Sequence, residues 1–305
     1  MSLVLKSNVV STAANLTSVA LLTLTPQQYY DAFVARVQAD GGEIINSTEL
    51  LNTINFLFDK KLIGKLNGLV GARYAVKRSS GNILKVYSID GVDFVAKTFG
   101  SGQPPILNTT DTAKPYIDMR NVGVNYANVT LLKSEKKFAQ SRTLKIGVSA
   151  VMQNVAAMTG IIAQSIDSDV STQSTPMWRI SAGAVVGAAT MQFGTAPEPY
   201  DAAAGQNVLQ FNALTNVANA EPIHFLADAS KVAINTYKNG ALTASTTRAT
   251  PRAATTVEQY ITIGGYETNS SKGSGVGNFY EMWFFNNATE SDLLLVDAYL
   301  KSRYV

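Results

Sequence analysis

The 305-residue sequence is 46% hydrophobic and 15% charged, with a formal net charge of +3 at pH 7, which describes a folded chain with an uncharged polar surface rather than a disordered one. It has no cysteine and one histidine, so disulfides, thiolate zinc sites and cysteine nucleophiles are excluded, a multi-histidine metal centre is impossible, and any Ser-His-Asp triad would have to use His224. Basic residues are dispersed, with Lys60-Lys61 and Lys136-Lys137 the only tight pairs, so no phosphate-binding stripe forms and no nucleic-acid partner is expected.

Residues 1–24 alternate short apolar and small polar residues, the texture of an extended arm that pairs with something else. The apolar stretch 16–24 is interrupted by Thr17, Ser18 and Thr23 and reads as neither signal peptide nor membrane span. At Thr25-Pro26-Gln27-Gln28 an N-cap hydroxyl, a proline at the first helical position and a capping-box glutamine predict a helix. Tyr29, Phe33 and Val37 form its stripe and Gly41-Gly42 ends it. Ser47 or Thr48 is the expected cap of a second helix carrying Leu50, Leu51, Ile54, Leu57 and Phe58. Residues 63–115 are punctuated by turn residues, with β-like pieces at 84–89 and 92–96 joined by an Asp90-Gly91 hairpin signal.

From residue 116 the pattern is that of an all-β unit, with strands expected at 128–132, 142–152, 160–166, 177–180, 191–193, 208–213, 223–227, 231–238, 241–247, 259–263 and 277–285. Its clearest element is the strand ending at Asn239-Gly240, since a type I′ turn needs positive φ at both central residues. Thr289-Glu290-Ser291-Asp292 then caps a terminal helix bearing Leu293, Leu294, Val296, Leu300 and Tyr304. The expected organisation is therefore an arm and helical hairpin at 1–62 for attachment or oligomerisation, a turn-rich connecting region at 63–115, and a β-sandwich with a C-terminal helix at 116–305.

Three pieces of the C-terminal part carry a resemblance: Ala233 to Gly240, a strand ending in Tyr-x-Asn-Gly; Tyr260-Ile261-Thr262-Ile263-Gly264-Gly265; and Gly277 to Asn286 followed by Ala288-Thr289-Glu290 and Asp297-Ala298-Tyr299-Leu300. In that order they resemble the concanavalin A-like, laminin-G-like jelly roll of bacteriophage virion proteins. The segment Phe33-Val34-Ala35-Arg36-Val37, then Gly41-Gly42 and Leu66 to Ala72, is similar to one that precedes such sandwiches in phage tail and virion proteins. The resemblance implies a mainly β chain located on the virion, tail-associated, whose partners are other virion proteins and further copies of itself.

Jelly rolls of this kind also host glycosidases, which need two carboxylates flanking the scissile bond. The Glu-x-Asp-x-x-Glu run of those enzymes is missing, and the closing strand offers Glu281 alone, so no enzymatic activity is expected and Glu281 reads as a hydrogen-bonding or pairing residue. Asp167-Ser168-Asp169 falls short of the oxygen ligands calcium requires, so no metal and no cofactor are expected. Gly273 to Gly277 lacks the Lys-Ser/Thr and helix of a phosphate loop. His224 reads as a half-exposed strand residue with one hydrogen bond. Trp283 and Phe285 are assigned to one face of the closing strand, Phe284 to the other.

Trp178, Tyr200, Tyr266 and Trp283 are the aromatics best placed in or beside loops, where sugar rings stack, with Trp283 assigned to the core by its strand parity. The favoured ligand-binding set is Tyr266, Asn269, Lys272 and Trp178, centred on the loop 266–277, whose Asn, Ser and Lys side chains hydrogen-bond hydroxyls. Two functions follow: a structural part of the phage particle, in tail, head decoration or fibre, or a module that binds bacterial surface polysaccharide. A polysaccharide-cleaving enzyme is the third and weakest reading.

Overall fold

The computed structural model describes residues 24–120, 127–141, 145–153, 160–166, 178–182, 188–194, 208–215, 220, 222–228, 233–238, 240–247, 256–267, 272–274 and 277–305. Three helices and twenty-one strands are formed among them. Helix α1 (Pro26–Ala39) begins on Thr25, whose hydroxyl accepts from Gln28 N while the Gln28 side chain accepts from Thr25 N, the full capping box. Helix α2 (Ser47–Asp59) is capped one residue earlier than the spacing predicts, by Asn46, whose carboxamide accepts from Glu49 N. Helix α3 (Glu290–Tyr304) starts on Thr289 with Asp292 completing its box.

The strands are β1 (Glu43–Ile44), β2 (Leu66–Gly71), β3 (Ala75–Ser79), β4 (Asn82–Val86), β5 (Phe94–Phe99), β6 (Ile106–Asn108), β7 (Tyr116–Asp118), β8 (Val129–Ser134), β9 (Phe138–Ser141), β10 (Lys145–Gln153), β11 (Gly160–Ile166), β12 (Trp178–Ala182), β13 (Ala188–Gly194), β14 (Val208–Thr215), β15 (Pro222–Asp228), β16 (Ala233–Lys238), β17 (Ala241–Thr247), β18 (Thr256–Ile263), β19 (Gly265–Glu267), β20 (Lys272–Ser274) and β21 (Asn278–Asn286). All the pairings between them are antiparallel, and two main series stand out, linked at one side through β4, β6 and β7. In sheet I, β2 lies beside β21, followed by β10, β15, β16 and β17. In sheet II, β5, β8, β18, β11, β12, β13 and β14 follow one another. The chain alternates between the sheets, and its last strand closes against an early one, which is the wrapping of a jelly-roll sandwich.

Two cores result. Between the sheets, Val148, Ala150, Met282 and Phe284 of sheet I meet Leu132, Ala163, Trp178, Ile180, Ile261 and Ile263 of sheet II. On the other face of sheet I, Trp283 and Phe285 meet Phe33, Val37, Leu50, Ile54 and Leu57 of the first two helices and Leu293, Val296 and Leu300 of α3. Strand β21 is thus covered on both faces, which explains its near-continuous apolar run. Trp283 and Phe285 share the helix-facing side and Phe284 the other, as alternation requires.

Packing and strand pairing cross the divisions expected at residues 62 and 115. The helical hairpin of α1 and α2 closes the second core. Residues 63–115 supply β2, paired with β21, and β5, paired with β8, so the region read as a connector contributes strands to both sheets. Its glycines and asparagines were turn signals in sequence, yet Asn67 and Gly68 lie inside β2, where Gly68 lets Phe284 and Phe138 approach the backbone. β4 and β5 pair around Asp90-Gly91, but with Val86 opposite Phe94 the connection is longer than the tight turn expected between 84–89 and 92–96, while β16 and β17 pair with Lys238 opposite Ala241.

Candidate ligand-binding face

Sheet II has an inner face built of Leu132, Ala163, Trp178, Ile180, Ile261 and Ile263, so the residues alternating with these form its outer face. Register carries one outer row across four strands: Lys133 opposite Thr262, Thr262 opposite Gln164 and Gln164 opposite Arg179. The row Lys133, Thr262, Gln164 and Arg179 thus joins two cations, a hydroxyl and an amide, whereas the inward positions of β11 and β12 carry Ala163, Trp178 and Ile180.

The β19–β20 hairpin stands on this outer face, packed across β8 and β11. Gly264, at φ +81°, turns the chain out of β18 into β19, and a Cβ there would strike the Met119 side chain. Thr262 Oγ1 donates to Gly265 O at 2.7 Å. Glu267 accepts from both Lys97 and Lys133 Nζ, each at 3.2 Å, which ties the hairpin to β5 and β8. The Lys133 ammonium also lies 4.1 Å from the centroid of Tyr260, with Lys137 at 5.5 Å. Tyr266, next to Glu267 and alternating with it, is half-buried and close enough to Arg179 to oppose the fall in its pKa, which burial drives below the ordinary arginine range.

Of the four residues singled out from sequence, Tyr266 stands at this face. Lys272 opposes Glu267 in the β19–β20 ladder. Asn269 lies outside the described residues, as do Tyr200 and Asp167 to Asp169. Trp178 is corrected: it is 1% exposed and packs on Phe284 with ring centroids 5.7 Å apart, so no indole face is open to a sugar. It begins β12 on the inward parity, and the apparent loop position concealed that. The segment 266–277, read as a loop, includes a short ladder. Arg179, Gln164, Lys97 and Lys133 were missed. Strand alternation within single segments gave the parity of each, but only register across strands aligns them.

Two further polar clusters lie in the interior. His224, expected half-exposed with one hydrogen bond, is instead 0% exposed and makes two: Nδ1 is 2.7 Å from Ser149 Oγ and Nε2 is 2.8 Å from Asp297 Oδ1. The three residue types match a catalytic triad, but Ser149 is fully buried, so no substrate carbonyl reaches its hydroxyl. The cluster instead joins α3 to β10 and β15. Glu281 is also fully buried, accepting from Tyr74 Oη and, at 2.9 Å, from Trp283 Nε1, with Arg73 and Arg303 nitrogens each 3.7 Å from its carboxylate. Burial alone pushes the Glu281 carboxyl up; the two guanidiniums and the Tyr74 hydroxyl outweigh this and hold its pKa below the ordinary range. Among the described residues no group of three His, Cys, Asp or Glu is placed to hold a metal ion, and no helix is long and apolar enough to cross a membrane.

No protein-family model matches the chain, and no curated protein matches it. Among solved structures it is similar to the botulinum neurotoxin serotype D ligand binding domain in complex with N-acetylneuraminic acid, at 11% identity over 77% of this chain and 50% of that one, with a TM-score of 0.44. The botulinum neurotoxin serotype G binding domain gives 10% identity, 78% and 51% coverage and a TM-score of 0.43. The Ruminococcus gnavus IT-sialidase CBM40 bound to α2,3 sialyllactose gives 11% identity, 59% and 99% coverage and a TM-score of 0.40. The chain spans about half the length of the neurotoxin domains it matches. Likeness at this distance transfers no ligand, partner or residue role.

Proposed function

We propose that the chain is a non-enzymatic structural and binding protein of a bacteriophage particle, tail-associated, whose sandwich recognises host surface polysaccharide through the outer face of sheet II. The virion setting, with other virion proteins and further copies of the chain as partners, rests on the sequence resemblance carried by residues 233–240, 260–265 and 277–300. The binding role rests on one observation: a row of hydroxyl, amide and cationic residues, Thr262, Gln164 and Arg179, aligned across β18, β11 and β12 beside Tyr266. Saccharides are bound by such a combination, in which planar amides and hydroxyls meet the ring hydroxyls and an aromatic face covers the apolar side of the ring. The absence of catalysis is supported by the state of the carboxylates and serine that chemistry would need. Ser149 and Glu281 are sealed in the interior, and Glu267 is held by two lysines.

Binding of the purified chain to polysaccharide extracted from host cell surfaces, followed by titration calorimetry, tests the reading. Tyr266→Ala is expected to weaken binding by about tenfold, the effect of removing one central aromatic anchor, while leaving the melting temperature unchanged. Undiminished binding in Tyr266→Ala would move the site away from this face. Release of reducing ends from the polysaccharide would overturn the non-enzymatic reading.

A further inference from the structure

We propose that the β19–β20 hairpin is a flap over the binding row: it swings on Gly264, is latched by Glu267, and lifts before a saccharide reaches Thr262 and Gln164. The inference rests on the carbohydrate-binding reading above and adds how access to that site is controlled. The row lies on the outer side of sheet II, yet Lys133 is 7% exposed, Gln164 3% and Thr262 0%, because the hairpin packs across β8 and β11 above them. Strands β19 and β20 form a two-stranded sheet of their own, in which Gly265 opposes Ser274, Tyr266 opposes Gly273 and Glu267 opposes Lys272, and among the described residues no ladder joins them to sheet II. A two-stranded hairpin is marginal by itself, so its place depends on what it rests on.

It rests on polar groups. Thr262 Oγ1 donates to Gly265 O at 2.7 Å, and Glu267 accepts from Lys97 and Lys133 Nζ at 3.2 Å each. The Lys97 and Glu267 side chains are 38% and 20% exposed, so water and salt compete for this latch, and ion pairs of the kind contribute little. Nε2 of Gln164 is buried with no hydrogen-bond partner among the described residues, a cost that the closed position carries and that water or a saccharide hydroxyl removes on opening. The other covered face differs: there the helices lie on Trp283 and Phe285, and apolar burial holds the cover down. Gly264, at φ +81°, supplies the backbone pivot between β18 and β19. Lifting the hairpin exchanges its polar contacts for water and leaves β11 and β18 paired to each other. Tyr266 sits on the flap itself, so reclosure brings its ring onto a saccharide seated on the row.

The test follows hydrogen exchange in the full chain and in Glu267→Gln, which weakens both ion pairs. Amides of β19 and β20 are expected to exchange about tenfold faster than those of β11 and β18, and about threefold faster again in Glu267→Gln, the size of two part-exposed ion pairs. Raising salt to about 1 M, where the screening length is ~3 Å, should accelerate the wild-type hairpin by the same factor, and this arm holds even if Glu267→Gln fails to fold. In calorimetry against the extracted host polysaccharide, Glu267→Gln should bind about threefold more tightly than wild type, because more of the protein is already open. Hairpin amides as slow as those of β18, or indifferent to both salt and Glu267→Gln, overturn the flap, and so does a Glu267→Gln chain that binds the polysaccharide no better than wild type. Polysaccharide binding that is still weakened by Tyr266→Ala then leaves the carbohydrate reading intact. A hairpin that opens faster with salt in a chain that binds no polysaccharide keeps the flap and removes the carbohydrate reading instead.

Discussion

Two faces of the same sandwich use the same kinds of side chain to opposite ends. Beneath the helix layer, Arg73, Arg303, Glu281, Glu49 and Tyr74 form a network in which each cation has a carboxylate within 4 Å, and both arginine side chains are almost fully buried. On the outer face of sheet II, Arg179 and Gln164 stand side by side as donors and Tyr266 lies at the edge. A polar network sealed in the interior is out of a ligand's reach, whatever its residue types; a polar row on an outer face is not. Composition alone does not separate them. The Ser149–His224–Asp297 cluster makes the same point, since its residue types suggest catalysis and its burial rules that out.

Removing the helix layer is the severest way to break this comparison. A chain starting at residue 63 lacks Phe33, Val37, Leu50, Ile54 and Leu57, each of which is 0–4% exposed and contributes about 1.5–3 kcal/mol by burial. It also uncovers Trp283 and Phe285. Such a truncation is expected to lose cooperative melting and to aggregate, as followed by circular dichroism and size exclusion. A soluble, cooperatively melting sandwich from residue 63 would restore the helices to the role of a detachable arm.

Next in size is the centre of the closed network. Glu281→Leu leaves both buried guanidiniums to share the partly exposed Glu49 and is expected to cost about 3 kcal/mol in urea unfolding, with saccharide binding per folded molecule unchanged. The pH dependence has a definite sign. Because Glu281 is held below the ordinary carboxylate range, its contribution is present above that range and is lost as pH falls through the lowered pKa. Equal acid sensitivity in wild type and Glu281→Leu would count against this compensation.

The smallest effect tests the opposite sign. Burial raises Asp90 to about 7, against hydrogen bonds from Ser88 and Val92 that lower it. A carboxyl raised on folding favours the folded state below the ordinary carboxylate pKa, and that advantage fades as pH climbs through the raised value. Asp90→Asn removes the titration, so its melting temperature is expected to exceed the wild type's by more at pH 8 than at pH 5. A difference independent of pH would show that Asp90 does not titrate in that window.

The sequence was sufficient for the three helices, because capping boxes at Thr25 and Thr289 and the stripe Tyr29–Phe33–Val37 are local. It was sufficient also for the pairing of β16 with β17 on either side of Asn239-Gly240, and for the burial of Trp283, since alternation within β21 is a property of one segment. Tyr266 was legible as a polar-edge aromatic for the same reason. It did not reveal that β2, interrupted by Asn67 and Gly68, pairs with β21 more than two hundred residues away, nor that Trp178 faces inward, nor that His224 finds Ser149 and Asp297. The row Lys133–Thr262–Gln164–Arg179 joins four strands, and its order depends on which strands pair and in what register. Periodicity specifies which side of a strand a residue takes; only the assembled sheets decide which residues from other strands share that side and whether it faces core, helix or solvent.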